Sequence, residues 1–125
     1  MAKYAIVVMS EHSDGNPGAQ GRMVHALSAA KVFKDAGEDV SLWFHGIGVG
    51  WLEAFDARYD TFTRNYGPLF DELRGAMGGA CDFCTTKRFG VGQAAEHLGV
   101  PVVAGEGEHH TVADLVVEGY TVFTF

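Results

Sequence analysis

The sequence predicts an α/β protein with a three-layer α/β/α architecture and a five-stranded parallel sheet of the flavodoxin or Rossmann-like type. Short apolar runs rich in β-branched residues alternate with segments whose apolar residues recur at helical spacing. Parallel neighbours in a sheet need such crossover connections. The 125 residues and the 47% hydrophobic content suit a single core. We therefore expect residues 1–125 to form one domain.

The first half of the chain predicts two strand–helix units. The run YAIVVM, residues 4–9, is almost wholly apolar and predicts a strand, which we expect at the centre of the sheet. Helical spacing of apolar residues predicts a helix over residues 22–36, which Gly37 ends. DVSLWFH predicts the next strand, and a short helix is expected over residues 51–57, after the flexible GIGVG turn.

The second half of the chain predicts three further strands. Residues 56–67 have no clear period, but their aromatic side chains suggest a lid or a subunit contact. Pro68 is expected to open a helix that runs to about residue 77, because proline is tolerated in a first turn. The remaining predicted elements are a strand within GGACDF, a helix from Cys84 to residue 98, a strand over 100–104, a helix over 111–118 and a final strand YTVFTF.

Charge and hydropathy exclude two classes of partner. Nine Lys and Arg residues against sixteen Asp and Glu residues give a net charge of −7, with no basic run to follow a phosphate backbone, so nucleic acid is not expected. No apolar run approaches the roughly 20 residues that a bilayer crossing needs. The opening MAKYAIVVMSEH lacks the features of a signal peptide. We therefore expect a cytoplasmic protein without membrane contact.

The loops that follow the predicted strands carry most of the reactive side chains. Ligands bind outside the carboxyl ends of parallel strands, so these loops are expected to meet. By contrast, His25 and His97 fall on predicted helices and are expected to be ordinary surface residues. The side chains that the loops contribute are His12, His45, His109, His110, Glu106, Glu108 and both cysteines.

The two cysteines stand in a C-x-x-C pair, Cys81 and Cys84, with Lys87 and Arg88 just behind them. A cysteine at a helix start near two cations is expected to have a lowered thiol pKa. Such a thiolate can attack a sulfane sulfur and hold it as a persulfide, or attack a disulfide. The alternative is that one or both thiols simply pack in the end of the sheet.

Metal and cofactor motifs are weak in this sequence. A structural zinc site usually takes four ligands, and the adjacent His109 and His110 lack the H-x₃₋₅-H spacing, although His12 or His45 could approach the cysteines. GIGVG departs from the dinucleotide pattern G-x-G-x-x-G and follows the second strand rather than the first. No metal and no cofactor is predicted. A thioredoxin-like dithiol is disfavoured because the pair lies late in the chain.

Four segments together resemble the DsrE/DsrF-like (YchN-like) family of small α/β sulfur-relay proteins: KYAIVVMS, GRMVHALSAAKVFKDAGEDVSLWFHGIGV, CDFCTTKRFGV and ADLVVEGYTVFTF. The resemblance implies a five-stranded parallel sheet, assembly as a trimer or hexamer, and a cysteine after the third strand that carries persulfide sulfur. It places Cys84 at that carrier position, with Cys81 as the alternative. The chain departs from the usual family form in having two cysteines and in placing Phe89 between Arg88 and Gly90.

These observations lead to a sulfur-carrier hypothesis, with sulfurtransferase activity through a persulfide on Cys84. Cys84 accepts the sulfur and Cys81 resolves it by forming a disulfide, while Lys87 and Arg88 stabilise the anion. One of His45, His109 or His110 moves protons. The expected partners are sulfur donor and acceptor proteins and further copies of the chain.

Three other readings stay open at this point. The same cleft could serve a small-anion or metal-binding module in which the cysteines are ligands. It could also serve a dithiol redox protein. The aromatic segment from Tyr59 to Tyr66 is the one hint of an oligomeric interaction protein.

Overall fold

A parallel β-sheet forms the middle layer of the molecule, whose computed structural model describes residues 2–125. In this part of the chain the sheet has five strands in the order β4-β3-β2-β1-β5, which confirms the predicted three-layer α/β/α fold. The strands are β1 (Lys3–Val8), β2 (Asp39–Phe44), β3 (Met77–Cys81), β4 (Val102–Val103) and β5 (Tyr120–Thr124).

The direction of the crossovers decides which face each helix covers. From β1 to β4 every step moves the same way across the sheet, so right-handed crossovers place their helices on one face. Only the step from β4 to β5 reverses direction, and its helix therefore covers the other face. The helices are α1 (Pro17–Asp35), α2 (Gly50–Ala57), α3 (Thr61–Glu72), α4 (Gly92–Leu98) and α5 (Val112–Val117).

The side-chain alternation of β1 follows this division. Ile6 and Val8 belong to the large core beneath α1 to α4, whereas Ala5 and Val7 pack with Leu115 of α5. Successive residues of a strand point to opposite faces, so a strand covered on both sides must be apolar throughout. This explains why YAIVVM reads as a continuous apolar run. The central strand, however, is β2; β1 is interior but stands one place from the middle, contrary to the sequence-based expectation.

The first helix begins earlier than its apolar period suggests. It starts at Pro17, not at residue 22, because Asn16 caps it by accepting a hydrogen bond from the Ala19 amide at 3.1 Å. Asn-Pro-Gly resembles a turn in sequence, but Asn at the cap and Pro at the first helical position also make a helix start. Because the Asn16 side chain caps the first turn, this stretch starts a helix and is not a free turn.

Most of the aromatic segment, from Thr61 onward, and the proline after it belong to one helix, α3. Asp60 caps α3 by accepting from the Thr63 amide at 2.7 Å, and Pro68 lies inside the helix. The predicted opening of a helix at Pro68 is therefore wrong. Phe62 and Tyr66 pack partly buried against the core, which accounts for their aromatic character.

Two elements near the cysteines are shorter than predicted. The expected helix from Cys84 to residue 98 divides into a π-helical turn (Phe83–Arg88) and α4, separated at Gly90 with φ of +63°. The strand expected over 100–104 contracts to Val102–Val103, where it pairs with the last two residues of β3. In residues 2–125, no helix is both long enough and apolar enough to cross a membrane.

Gly48 offers a direct test of the packing that places the loop after β2. A Cβ at this position would overlap the carbonyl of Val8, which is backbone and cannot swing away. We expect Gly48→Ala to lower the free energy of unfolding by about 2 kcal/mol, as overpacking does. Gly50→Ala is the matched control, because its Cβ meets nothing within 4 Å. Equal stability of the two variants in urea denaturation would contradict this packing.

Candidate functional site

The two cysteines lie at the carboxyl end of β3. Cys81 is the last residue of the strand, and Cys84 is the second residue of the π-helical turn. Both thiols are free and buried, with exposed fractions of 0% for Cys81 and 1% for Cys84. The turn folds Cys84 back over the end of the strand, so that the sulfur atoms lie within 4.8 Å of each other.

His109 joins this pair from the loop between β4 and α5. Its Nδ1 atom lies 3.3 Å from Cys84 Sγ and 3.7 Å from Cys81 Sγ. The ring of Phe83 packs edge-on against the imidazole at 4.6 Å between centroids. His109 thus brings its imidazole into contact with both thiols.

Two further histidines, His45 and His110, form the wall behind the thiols. His45 Nε2 and His110 Nδ1 are 2.9 Å apart and share a buried hydrogen bond. The indole of Trp43 stacks on the His110 ring at 4.9 Å and 11°. The backbone amide of His110 donates to Cys81 Sγ at 3.3 Å, so this loop is tied directly to the end of β3.

Only some of the loop residues that the sequence predicts to meet do so. The structure brings together His45, His109, His110, Cys81 and Cys84, but it places His12 elsewhere. His12 Nε2 pairs with Asp60 at 2.6 Å, and its ring packs edge-on against Trp51. It belongs to the start of α3 rather than to the cysteine site.

The charged residues around the cysteines differ in how close they come. Lys87 and Arg88 are both solvent-exposed, but Arg88 lines the cavity beside Cys84 and Lys87 does not belong to the described lining. Glu106 and Glu108 are exposed as well. The exposed positions of His25 and His97 on α1 and α4 agree with the expectation that they are surface residues.

A cavity of about 210 Å³ opens beside Cys84. Its wall is mostly apolar, and Arg88 supplies a guanidinium group to it. In the described part of the chain, Cys84 contributes to this wall and Cys81 does not. The lining residues are Met9, His45, Gly46, Cys84, Arg88, His109, His110, Thr111 and Val112.

Sequence analysis missed two residues that shape the site. Asp114 accepts hydrogen bonds from the amides of Thr111 at 2.8 Å and Glu106 at 3.2 Å, and so holds both ends of the loop that carries His109. The signal was present as a capping box, Thr-x-x-Asp, just before an apolar run. Gly46, the first glycine of GIGVG, brings its amide against Cys84.

The electrostatics of Cys84 correct another prediction. Burial, followed by the neighbouring Cys81 thiol, raises the pKa of Cys84, whereas the Gly46 amide and Arg88 act in the opposite direction. The lowered pKa expected from the sequence is therefore wrong. The Cys84 side chain is buried although much of its turn is exposed, and desolvation outweighs the two favourable contacts.

The neutral state of His45 is favoured by the same burial. Desolvation and then the adjacent His110 lower the pKa of His45 to about 4, while Asp114 acts weakly against this shift. Two neighbouring imidazoles can share one hydrogen bond only if at least one of them is neutral. The wall behind the thiols is thus uncharged at His45 near pH 7.

Comparison with known families decides the relationship of the chain. A model of the DsrE/DsrF-like family matches residues 2–125. The chain belongs to the DsrE/DsrF-like family. The matched residues include both cysteines, the π-helical turn and the loop of His109, so the resemblance to the DsrE/DsrF-like family is confirmed over residues 2–125. Comparison with curated proteins and with solved structures finds no significant match.

The buried His45 predicts a loss of stability in mild acid. Its pKa is about 4 in the folded protein and 6.5 ordinarily, so the unfolded chain takes up the proton first. The free energy of unfolding should therefore fall by about 3 kcal/mol as the pH drops from about 6.5 to about 4. Urea denaturation across this range measures it. His45→Gln should show a shallower decline, and an unchanged decline would contradict the assignment to His45.

Proposed function

We propose that this protein is a sulfur carrier in which Cys84 accepts a sulfane sulfur as a persulfide. Membership of the DsrE/DsrF-like family supports a sulfur-relay type of role in general. One observation carries the finer proposal: Cys84 combines a position on the cavity wall with a contact of 3.3 Å to His109 Nδ1. An added sulfur atom on Cys84 has space to extend into the cavity.

The loading step needs a thiolate and a route for its proton. His109 takes the proton of Cys84, and the thiolate attacks the outer sulfur of a donor persulfide. The donor S–S bond breaks as a Cys84 Sγ–S bond forms, and the donor leaves as a thiolate that receives the proton. No external oxidant or reductant is needed, because the donor returns to the thiol level as Cys84 becomes a persulfide and one S–S bond replaces another.

Stabilisation of the loaded anion comes from two sides of the cavity. The guanidinium of Arg88 and the amide of Gly46 both favour negative charge at Cys84. Lys87 lies outside the described lining of the cavity, so we assign it no direct contact with the anion. His45 and His110 act as positioning residues, because their hydrogen bond and the His110 amide hold the loop against Cys81.

Release of the sulfur has two routes that differ in their need for a reductant. An acceptor thiolate can attack the outer sulfur, which regenerates the Cys84 thiolate directly. Alternatively, the Cys81 thiolate attacks Cys84 Sγ, expels hydrosulfide and leaves a Cys81–Cys84 disulfide. That disulfide needs two electrons from a thiol reductant before the next cycle. The two sulfur atoms lie within 4.8 Å of each other, close enough for the second route to start from this geometry.

The proposal includes the setting in which the carrier works. We infer sulfur donor and acceptor proteins as partners, a homo-oligomer of three or six copies, and a cytoplasmic location. The net charge of −7 argues against nucleic acid as a partner. Transfer from one protein to another makes the carrier a sulfurtransferase.

Intact-mass analysis after exposure to polysulfide tests the carrier cysteine. The wild-type chain should gain sulfur that a reductant removes, and Cys84→Ser should gain none, because no thiolate remains on the cavity wall. Cys81→Ser is the matched control and should still load. Loading that survives in a folded Cys84→Ser variant would contradict the proposal.

A rate measurement tests the role of His109. Removing a general base typically costs about 10²–10⁴ in rate. We expect His109→Gln to slow the loading of Cys84 by about 100-fold while the final amount of bound sulfur stays the same. His97→Gln, an exposed histidine on α4, serves as the control. If both variants load at the wild-type rate, His109 is not the base.

A further inference from the structure

The three donor atoms of the site have the mutual spacing of a metal centre. His109 Nδ1 lies 3.3 Å and 3.7 Å from the two sulfur atoms, and all three atoms lie within 4.8 Å of one another. Tetrahedral zinc, with bonds of about 2.3 Å to sulfur and 2.0–2.1 Å to nitrogen, holds sulfur and nitrogen ligands about 3.5 Å apart. The two observed nitrogen–sulfur distances, 3.3 Å and 3.7 Å, lie just below and just above that value.

The chemistry of the donors selects the class of ion. Two thiolates and one imidazole are soft or borderline ligands, which suit Zn²⁺ and related ions and not the oxygen-seeking Mg²⁺ or Ca²⁺. Two thiolates also balance the charge of a divalent cation, so the buried site becomes neutral when the ion binds. A buried site whose charges sum to zero in this way needs no further counter-ion.

Contacts behind the ligands match those of metal sites. The other ring nitrogen of His109, Nε2, lies 3.6 Å from Glu108 Oε1, which is ion-pair distance and longer than a hydrogen bond. A small movement of Glu108 would bring its carboxylate to the place from which such groups orient a ligating histidine. The His110 amide donates to Cys81 Sγ, and the Gly46 amide lies against Cys84. Backbone donors of this kind stabilise thiolate charge without adding a competing ligand.

We propose that Cys81 Sγ, Cys84 Sγ and His109 Nδ1 bind one zinc-class cation. Cys84 and His109 line the cavity, so the fourth coordination position is left for a small molecule that enters from it. The motif was invisible as a zinc pattern in the sequence because the third ligand follows 25 residues after Cys84, on a different loop. His12 and His45, which sequence analysis considered as further ligands, are not part of the trio.

This inference stands apart from the sulfur-carrier proposal. A bound cation occupies the Cys84 thiolate that a persulfide needs, so one molecule holds either the metal or the sulfur. Metal binding can be measured without any sulfur donor. Failure of one proposal therefore leaves the other open to its own test.

Titration of the reduced, metal-free protein with Co²⁺ tests the site, because cobalt reports its ligands by absorption. We expect one equivalent to produce a thiolate-to-cobalt charge-transfer band and the intense visible bands of tetrahedral cobalt. One equivalent of Zn²⁺ should then remove them. Cys84→Ser and His109→Gln should each weaken Co²⁺ binding by about 100-fold, since each removes a ligand.

The controls separate a built site from loose surface binding. His97→Gln removes an exposed histidine and should bind Co²⁺ like the wild type. Circular dichroism shows whether each variant is folded; if Cys84→Ser does not fold, Cys84→Ala and His109→Gln carry the test. Absence of the charge-transfer band in the folded wild type, or equal affinity in the ligand variants, would overturn the proposal.

Discussion

The site depends on one topological constraint: the chain must pass from β4 at one edge of the sheet to β5 at the other. The connection between them cannot run through the sheet, so residues 104–111 cross the carboxyl ends of the intervening strands. There the loop meets Cys81 at the end of β3 and His45 just after β2. The same reversal puts α5 on the opposite face from the other helices. One connection thus sets both the layer arrangement and the composition of the site.

The crossing loop is held firmly enough to act as part of the scaffold. Asp114 ties it at two amides, and the stack of Trp43 on His110 fixes that residue near the end of the loop. In the sulfur-carrier proposal, this anchoring of the loop compensates for the burial of the Cys84 thiol. Burial opposes the charge on Cys84, but a fixed imidazole at 3.3 Å can accept its proton at the moment of attack. Geometry, more than a lowered thiol pKa, is what the fold supplies.

Much of this architecture was predictable from sequence because it rests on local patterns. A strand covered on both faces must be apolar throughout, and YAIVVM shows this directly. The C-x-x-C pair was equally visible. Caps were harder to recognise: Asn16 and Asp60 start helices within stretches that look like turns, and Pro68 lies inside a helix. Which of the histidines lie near the cysteines depends on the order of the strands in the sheet, and local sequence patterns do not reveal that order. His12 and His109 both follow strands, but only the loop of His109 crosses β3.

The most direct test of the account is to locate the sulfur that the wild-type protein takes up. After exposure to polysulfide and alkylation, trypsin releases residues 75–87 as one peptide that contains both cysteines. Fragmentation of this peptide distinguishes the two positions. The account predicts the added sulfur on Cys84, because that cysteine lines the cavity beside His109. Sulfur found on Cys81, or divided equally between the two, would contradict it.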